Sequence, residues 1–468
     1  MTNGKFTRQD IWALEEGADE PPWDPYTLAY AKAVAIMQGR QPAVVTSWSY
    51  QAAMHGTWAT PPDPLWNGCQ HGSWFFLPWH RIYIWYFEQI VRSVVVENGG
   101  PDDWALPYWN YTDGPPGSAA LPPAFRRPEL PDGSDNPLFV GGANRSSAMN
   151  GGSDLPGIAR STKQAMDSTS FSPGFGGLPK PPVHFGRPHG LLEAQPHDQV
   201  HDVVGGGATR PGCHEGWMSD PNCAAQDPIF YLHHSNIDRL WVEWLGNGGG
   251  RANPSNQEWL TESFSFFDAQ GNEQSKTCGE FADIANLDYV YAGVAVPEPV
   301  AAGGSSETPK PPGDGPEIAS GGGAELGTEP VAVTLEPEVD ETAVLDAAAD
   351  PDTPRVYLHL EEVDTDGSPG IVWEVRLDPD GGGGAAEEAV GAISFFGRGH
   401  THGGEAPETL GVTGERFIFD ITDVVVRLAE EGRWDESKIT VSFHPAMPEG
   451  YSEPTPTVRI GRVYVTHG

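Results

Sequence analysis

From residue 295 to residue 350 the chain carries no aromatic side chain, although it holds sixteen tryptophans, nineteen phenylalanines and thirteen tyrosines elsewhere. Pro, Gly, Ser, Ala and Glu dominate that stretch, and residues 301–350 contain eleven acids and one lysine. A segment so poor in large apolar groups cannot bury enough surface to offset its ordering entropy, so a flexible acidic linker is expected. The break divides the 468 residues into a first domain at 1–294, the linker at 295–351 and a second domain at 352–468.

The two flanking parts read differently. In the first, "DPYTLAYAKAVAIMQ" (24–38), "AVVTSWSYQAAMHG" (43–56), "FLPWHRIYIWYFEQIVRSVVVEN" (76–98), "QPHDQVHDVV" (195–204) and "DPIFYLHHSNIDRLWVEWL" (227–245) have helical apolar spacing. Asp227 suits an N-cap and Pro228 the first helical position. Residues 111–186 are rich in Gly, Pro, Ser and Asn and are expected to be long loops. The first domain is therefore read as mainly α, a four-helix-bundle core with long loops. The last part reads as short β-branched and aromatic runs: "RVYLHLEEV", "GIVWEVRL", "AVGAISFFG", "RFIFDITDVVVRL", "KITVSFH" and "TVRIGRVYVTH". That pattern predicts a β-rich sandwich or barrel.

Charge excludes some partners. The formal net charge of −38 repels nucleic acid and anionic lipid. No window holds 18 consecutive apolar residues, so no membrane span is expected. The opening "MTNGKFTRQDIWALEEG" lacks the apolar core of a secretory signal. The chain is therefore expected to be cytoplasmic as synthesised, its final compartment open, with export bound to a partner as one route. Four cysteines are too few for a disulfide scaffold. Cys213 and Cys223 bracket a loop containing Gly and Pro, which leaves a disulfide open between them.

Six positions then stand out among fifteen histidines. His55, His71 and His80 form one group. His197, His201 and one of the pair His233/His234 form another. His197 and His201 lie one helical turn apart and share a face. A set made only of imidazoles suits copper, zinc or iron and not magnesium or calcium, which take oxygen ligands. The redox-active reading is two coppers with three histidines each; the alternative is a protein whose histidines hold zinc or nothing.

"CQHGSWFFLPWHRIYIWYFEQI", "LPYWNYTDG", "LLEAQPHDQVHDVVGG" and "DPIFYLHHSNIDRLWVEW" together resemble the type-3 copper proteins: tyrosinases, catechol oxidases (polyphenol oxidases) and hemocyanins. The likeness covers roughly residues 25–250. It extends more weakly to the C-terminal β-rich part through "AISFFGRG", "RFIFDITDVVVRL" and "KITVSFHP". The resemblance implies that His55, His71 and His80 hold one copper ion, and that His197, His201 and His234 hold the other. His233 is then a neighbour.

The same resemblance implies a thioether between Cys69 and His71. It implies that Glu193 orients a water or acts as base near the second copper, with Asp198 beside it. Asparagine stands at the Asp198 place in many members that hydroxylate monophenols. The departure bears on monophenol activity and leaves diphenol oxidation untouched.

The implied activity is oxidation of o-diphenols to o-quinones with O2 as co-substrate, together with ortho-hydroxylation of monophenols. An o-aminophenol oxidase and a hemocyanin-like O2 carrier are the alternatives. Partners would be small phenols and a copper-delivery protein. In similar proteins the C-terminal domain covers the site and keeps the enzyme latent. Phe395, Phe396 and the "GRGHTHGG" loop are the lid candidates here.

Overall fold

Apolar residues recurring on one face set the helices around which the first unit is built. The structure is a computed structural model and describes residues 5–16, 23–59, 63–207, 212–297, 315–337, 355–378, 387–397, 412–434 and 439–467. Met1–Ser306 with Pro448–Ser452 make one compact unit, and Glu307–Met447 with Glu453–Gly468 make the other. The helices of the first unit up to the last histidine pair are α1 (Ile11–Glu16), α2 (Pro25–Gln38), α3 (Trp48–His55), α4 (Phe76–Glu97), α5 (Ser147–Gly151), α6 (Lys163–Asp167), α7 (Asp198–Gly205) and α8 (Ile229–Gly246).

Local chemistry fixes their starts. Asp24 caps α2 by accepting from the backbone N–H of Tyr26 and Thr27, with Pro25 in the first turn. Helix α3 begins at Trp48, not at residue 43, because the Ser47 hydroxyl accepts from Tyr50 N and stops the helix there. Asp227 accepts from Ile229 N at 3.0 Å and also pairs with Arg145, so α8 starts two residues after it. Helix α4 is apolar nearly all round and is buried accordingly. It packs on α8, where Phe87 stacks on Tyr231 with ring centres 3.5 Å apart and Trp48 of α3 closes edge-on against both.

A buried ionic cluster ties the ends of this unit together. Strand β1 (Phe6–Arg8) pairs in parallel with β4 (Tyr289–Tyr291), after the hairpin β2 (Ser263–Phe267) and β3 (Glu273–Thr277). Arg8 reaches Glu88 of α4 at 2.7 Å and Asp238 of α8 at 3.4 Å. Asp238 also accepts from Arg81 and from the hydroxyls of Tyr289 and Tyr291, the last two at 2.6 Å. Arg239, next in sequence, holds Glu243, Asp113 and Asn110. Asp238 and Arg239 thus pin the helices of this unit to the chain around them.

The second unit is antiparallel β throughout its sheets. Its strands are β5 (Glu317–Gly321), β6 (Ala324–Leu326), β7 (Val331–Thr334), β8 (Glu336–Pro337), β9 (Val356–Thr365), β10 (Val372–Asp378), β11 (Glu388–Ile393), β12 (Val412–Asp420), β13 (Thr440–Ala446) and β14 (Val458–His467). One sheet runs β11-β10-β13-β7. The other runs β12-β9-β14-β5-β8, with β6 also on β14. Phe395 bridges Trp373 of the first sheet and Phe417 of the second.

Two expectations fail here. Residues 315–337 are not linker: "EIASG", "AEL" and "VAVT" pair with β14 and β13. Averaging composition over fifty residues hid four short strands whose small and β-branched side chains need no aromatic partner. The rest of the expected linker, apart from 295–297, lies outside the described residues. Second, "ITDVVVRL" is not strand. Thr422–Glu430 is a helix because Ile421, Val425 and Leu428 recur at helical spacing and are buried. The "GHTHGG" tract lies outside the described residues. Among those described, no helix is long and apolar enough to cross a membrane.

Candidate metal centre

Five elements converge on one buried point of the first unit. His55 is the last residue of α3, His80 lies in the second turn of α4, and His233 and His234 lie in α8. His71 sits on the connection between α3 and α4. The next residue, Gly72, has φ +71, and the Gly186 carbonyl oxygen would stand 2.0 Å from any Cβ there, so the turn admits only glycine. His197 adjoins α7 and His201 is within it. Gln195 before Pro196 is extended, so Glu193–His197 is a kinked turn and not a first helical turn.

The histidines form two trios. Ring centres of His55, His71 and His80 are 5.2–5.5 Å apart. Those of His197, His201 and His234 are 4.5–5.7 Å apart. His80 and His234 join the trios, stacked at 4.4 Å. Ligand atoms of His55, His80 and His234 lie within 4.8 Å of one another, as do those of His197, His201, His233 and His234.

Five of the six trio rings are aimed by what their Nδ1 meets. His55 bonds the Pro221 carbonyl at 3.0 Å, His71 the His184 carbonyl at 3.2 Å and His80 the Phe76 carbonyl at 2.8 Å. His201 bonds the Met218 carbonyl at 2.7 Å and His197 the Asp198 carboxylate at 2.9 Å. A carbonyl or carboxylate on Nδ1 fixes that nitrogen as the donor and leaves Nε2 as a lone-pair ligand. His233 spends its Nδ1 on the Tyr111 hydroxyl at 2.9 Å.

Burial, then repulsion from neighbouring imidazoles, pushes His55, His71, His80, His201, His233 and His234 well below the ordinary imidazole value. Neutral imidazoles are the metal-binding form. The Nε2 atoms of His55 and His80, and both ring nitrogens of His234, are buried and meet no hydrogen-bond partner among the described residues. Unmet buried nitrogens are costly unless something takes their lone pairs. A borderline or soft cation that accepts imidazole fits this set.

Two carboxylates adjoin the second trio, and neither is a solvated surface acid. Glu193 is 1 % exposed and accepts from Gly72 N at 2.9 Å. Burial and the nearby Asp198 charge raise its carboxyl well above the ordinary range. Asp198 takes His197 Nδ1 on one oxygen and His189 Nδ1 on the other, the latter at 2.7 Å. Burial would raise the Asp198 carboxyl, but those imidazoles hold it well below the usual carboxylate range.

Cys69 is buried, its thiol 3.3 Å from His71 Nδ1 and 3.1 Å from His184 Nδ1. Cys213 and Cys223 form a disulfide. His184 and His189 carried no role in the sequence reading. They come from an irregular connection, and no spacing rule places such a loop beside the site.

Two histidine trios inside a helical unit, followed by an antiparallel β unit, define a metalloprotein of the type-3 copper class. Comparison with known proteins agrees. A family model described as the common central domain of tyrosinase matches residues 45–150 and 143–247, and one described as a domain of unknown function matches 323–467. A tyrosinase of Hahella sp. (strain CCB-MM4) is 32% identical over 494 aligned residues, covering 98% of each chain. A chloroplastic polyphenol oxidase of Malus domestica is 28% identical over 58% of this chain and 47% of its own, so the chain spans about half the length of that plant relative. The structure of latent apple tyrosinase shares the fold, with TM-score 0.65 and 21% identity over 99% of this chain and 97% of that one. The chain belongs to the tyrosinase family, and it is an oxidoreductase of that family.

Proposed function

We propose that the chain oxidises o-diphenols to o-quinones with O2 as co-substrate, using two copper ions. His55, His71 and His80 would hold one, and His197, His201 and His234 the other. The observation that carries this reading is the pair of buried trios joined by the 4.4 Å stack of His80 on His234. When bound, the copper pair supplies O2 binding and two-electron redox chemistry. His234 is preferred to His233 because it stacks on His80 and its ligand atom groups with those of His55 and His80 as well as with those of His197 and His201, whereas His233 groups with the second set alone among the described residues.

The protein's own groups supply orientation and dryness. Phe76 lies 4.8 Å from His197, and Phe230 lies 4.8 Å from His55 and 4.3 Å from His234, ring to ring. These rings exclude water from the trios. Glu193 braces the His71 turn through Gly72. Asp198 orients His197. Because both Asp198 oxygens are already engaged by imidazoles, the reading favours diphenols over monophenols. Loss of the acid limb of kcat/KM in Glu193→Gln would assign that carboxylate the phenol proton. Cys69 is proposed to bond a ring carbon of His71, the thiol hydrogen and one ring hydrogen leaving as two protons and two electrons that O2 accepts, which peptide mass spectrometry reads as loss of two hydrogens.

We extend the proposal to latency, with the β unit as the cover that the resemblance implies. Oxygen uptake with 4-methylcatechol and then tyramine, before and after cleavage within 298–314, tests the whole reading. Catechol uptake with two coppers per chain supports it. A response to tyramine adds hydroxylation, and a rise on cleavage supports the cover. No uptake by cleaved, copper-loaded protein overturns it.

A further inference from the structure

The segment Cys213–Cys223 runs between α7 and the 3-10 turn Ala224–Gln226 that precedes α8. It has neither helix nor strand, yet two of its backbone carbonyls serve histidines of different trios. The Met218 carbonyl takes His201 Nδ1 at 2.7 Å, and the Pro221 carbonyl takes His55 Nδ1 at 3.0 Å. A loop without a hydrogen-bond ladder must be held in another way to aim two rings.

Three features hold it. The buried Asp220 carboxylate accepts from Trp58 Nε1 at 2.6 Å, His214 N at 3.1 Å and Asn222 N at 2.9 Å. The Ser219 hydroxyl donates to the Asp202 carbonyl at 3.0 Å, and a Cβ on Gly216 would stand 1.8 Å from the Gly205 carbonyl oxygen, so the loop lies directly on the end of α7. At the other side, a Cβ on Gly56 would stand 2.6 Å from the Pro221 carbonyl oxygen, so it also lies directly on the end of α3. The Cys213–Cys223 disulfide closes the base of this wedge.

We propose that the disulfide-closed loop 213–223 is a positioning element shared by the two metal sites. By fixing the Met218 and Pro221 carbonyls it orients one histidine of each trio, and opening the disulfide loosens metal at both sites together. This rests on the two-copper reading above. Outer partners of metal-bound histidines typically contribute a factor of about 10–100 in metal affinity, and here one covalent bond governs two such partners.

The test uses the full, copper-loaded chain. Copper stoichiometry is measured first; fewer than two ions per chain overturns the underlying reading, and this inference with it. The protein is then treated with a water-soluble phosphine. Phosphorus gives two electrons to the S–S bond, each sulfur takes a proton, and water supplies the oxygen of the phosphine oxide. Ascorbate, which reduces copper and leaves the disulfide intact, is present throughout, and release of Cu(I) to bicinchoninate is followed with and without the phosphine, and in the Cys213→Ser/Cys223→Ser variant, in which any effect of the phosphine on copper itself is read.

The expected result is release at least about tenfold faster for both ions in parallel. The thermal stabilisation that copper adds over the apo-protein shrinks, a readout that general weakening of the fold leaves unchanged. Release within about twofold of the oxidised protein, or acceleration of one ion only, overturns the proposal. If the double variant does not fold, reduction of the folded holoprotein still decides.

Discussion

Helices α4 and α8 carry two buried polar clusters within a turn of each other. One is His80 with His234; the other is Arg81 and Glu88 with Asp238. In the second cluster every charged group is answered: Asp238 binds Arg81, Arg8, Tyr289 and Tyr291, Glu88 binds Arg8 and Arg92, and the guanidinium of Arg81 lies 3.5 Å over the Trp241 ring. In the first, Nε2 of His80 and both ring nitrogens of His234 meet no hydrogen-bond partner among the described residues. Both clusters are equally dry. What separates them is charge pairing: Nη2 of Arg8 and of Arg81 is also left over, but on guanidiniums whose charge is already met by carboxylates, whereas the first cluster leaves lone pairs with no partner among the described residues, so the paired network holds the fold and the unfinished one waits for a ligand.

Breaking each cluster should therefore give opposite signatures. The largest effect is expected from His234→Ala, which removes the ring linking the trios. Oxygen uptake with a catechol should fall by more than the roughly 100-fold that loss of an outer partner costs, with copper lost on elemental analysis. The apo-protein should lose ring packing alone, and so less stability than on removal of Asp238, because the deleted nitrogens meet no hydrogen-bond partner among the described residues. A large loss of apo stability would show that the histidines are core residues.

Asp238→Ala should do the reverse. It removes the carboxylate from Arg81 and leaves Arg8 with Glu88, and removing one partner of a buried ion pair costs about 3–5 kcal/mol. Denaturant unfolding of the apo-protein reads this directly, while copper per folded chain should stay unchanged. The pH dependence follows. Burial would raise the Asp238 carboxyl, but Arg81 and Arg8 hold it below its ordinary value. Its contribution is present above the unfolded carboxylate value and is lost as pH falls through the lower folded one.

Much of the first cluster was legible in the sequence, and for a physical reason. His197 and His201 are one turn apart, and His80 and His234 sit in long apolar helices whose register follows from their spacing. What could not be read is whatever the loops supply. The Met218 and Pro221 carbonyls that aim His201 and His55 belong to the backbone, and every residue has one. His189, which holds Asp198, reaches it from an irregular turn. The β unit was legible where strands carry aromatics. It was missed at 317–337, where Ala, Val and Ile do the pairing inside an acidic composition.

Asp198→Asn sharpens the boundary between the clusters, since Asp198 belongs to a completed network that touches the unfinished one. An amide still accepts from His197 but gives His189 no charge to bind. Copper affinity should drop about tenfold at the second trio and stay unchanged at the first. Sequential release of the two ions to a graded chelator distinguishes them. Equal weakening at both would mean that the trios respond as one unit.

Glu15 limits the rule that an unmet buried atom calls for a ligand, and its effect is expected to be the smallest. This residue of α1 is 3 % exposed, accepts from Ala124 N with one oxygen and leaves the other unmet among the described residues. No histidine or cysteine joins it in a metal-binding group among the described residues. Burial raises its carboxyl to about 8, so near neutrality the group is completed by a proton and not by a metal. A folded value above the unfolded one means that the folded state binds more protons. Stability therefore falls as pH rises from about 5 to about 8, by on the order of a few kcal/mol at most. Glu15→Gln should remove that slope and stabilise the protein at the alkaline end, as read by denaturant midpoints across pH. An unchanged slope would mean that Glu15 folds ionised. The contrast would then rest on the histidines alone, whose neutral rings cannot relieve an unmet nitrogen by protonation without burying a charge among six neighbours.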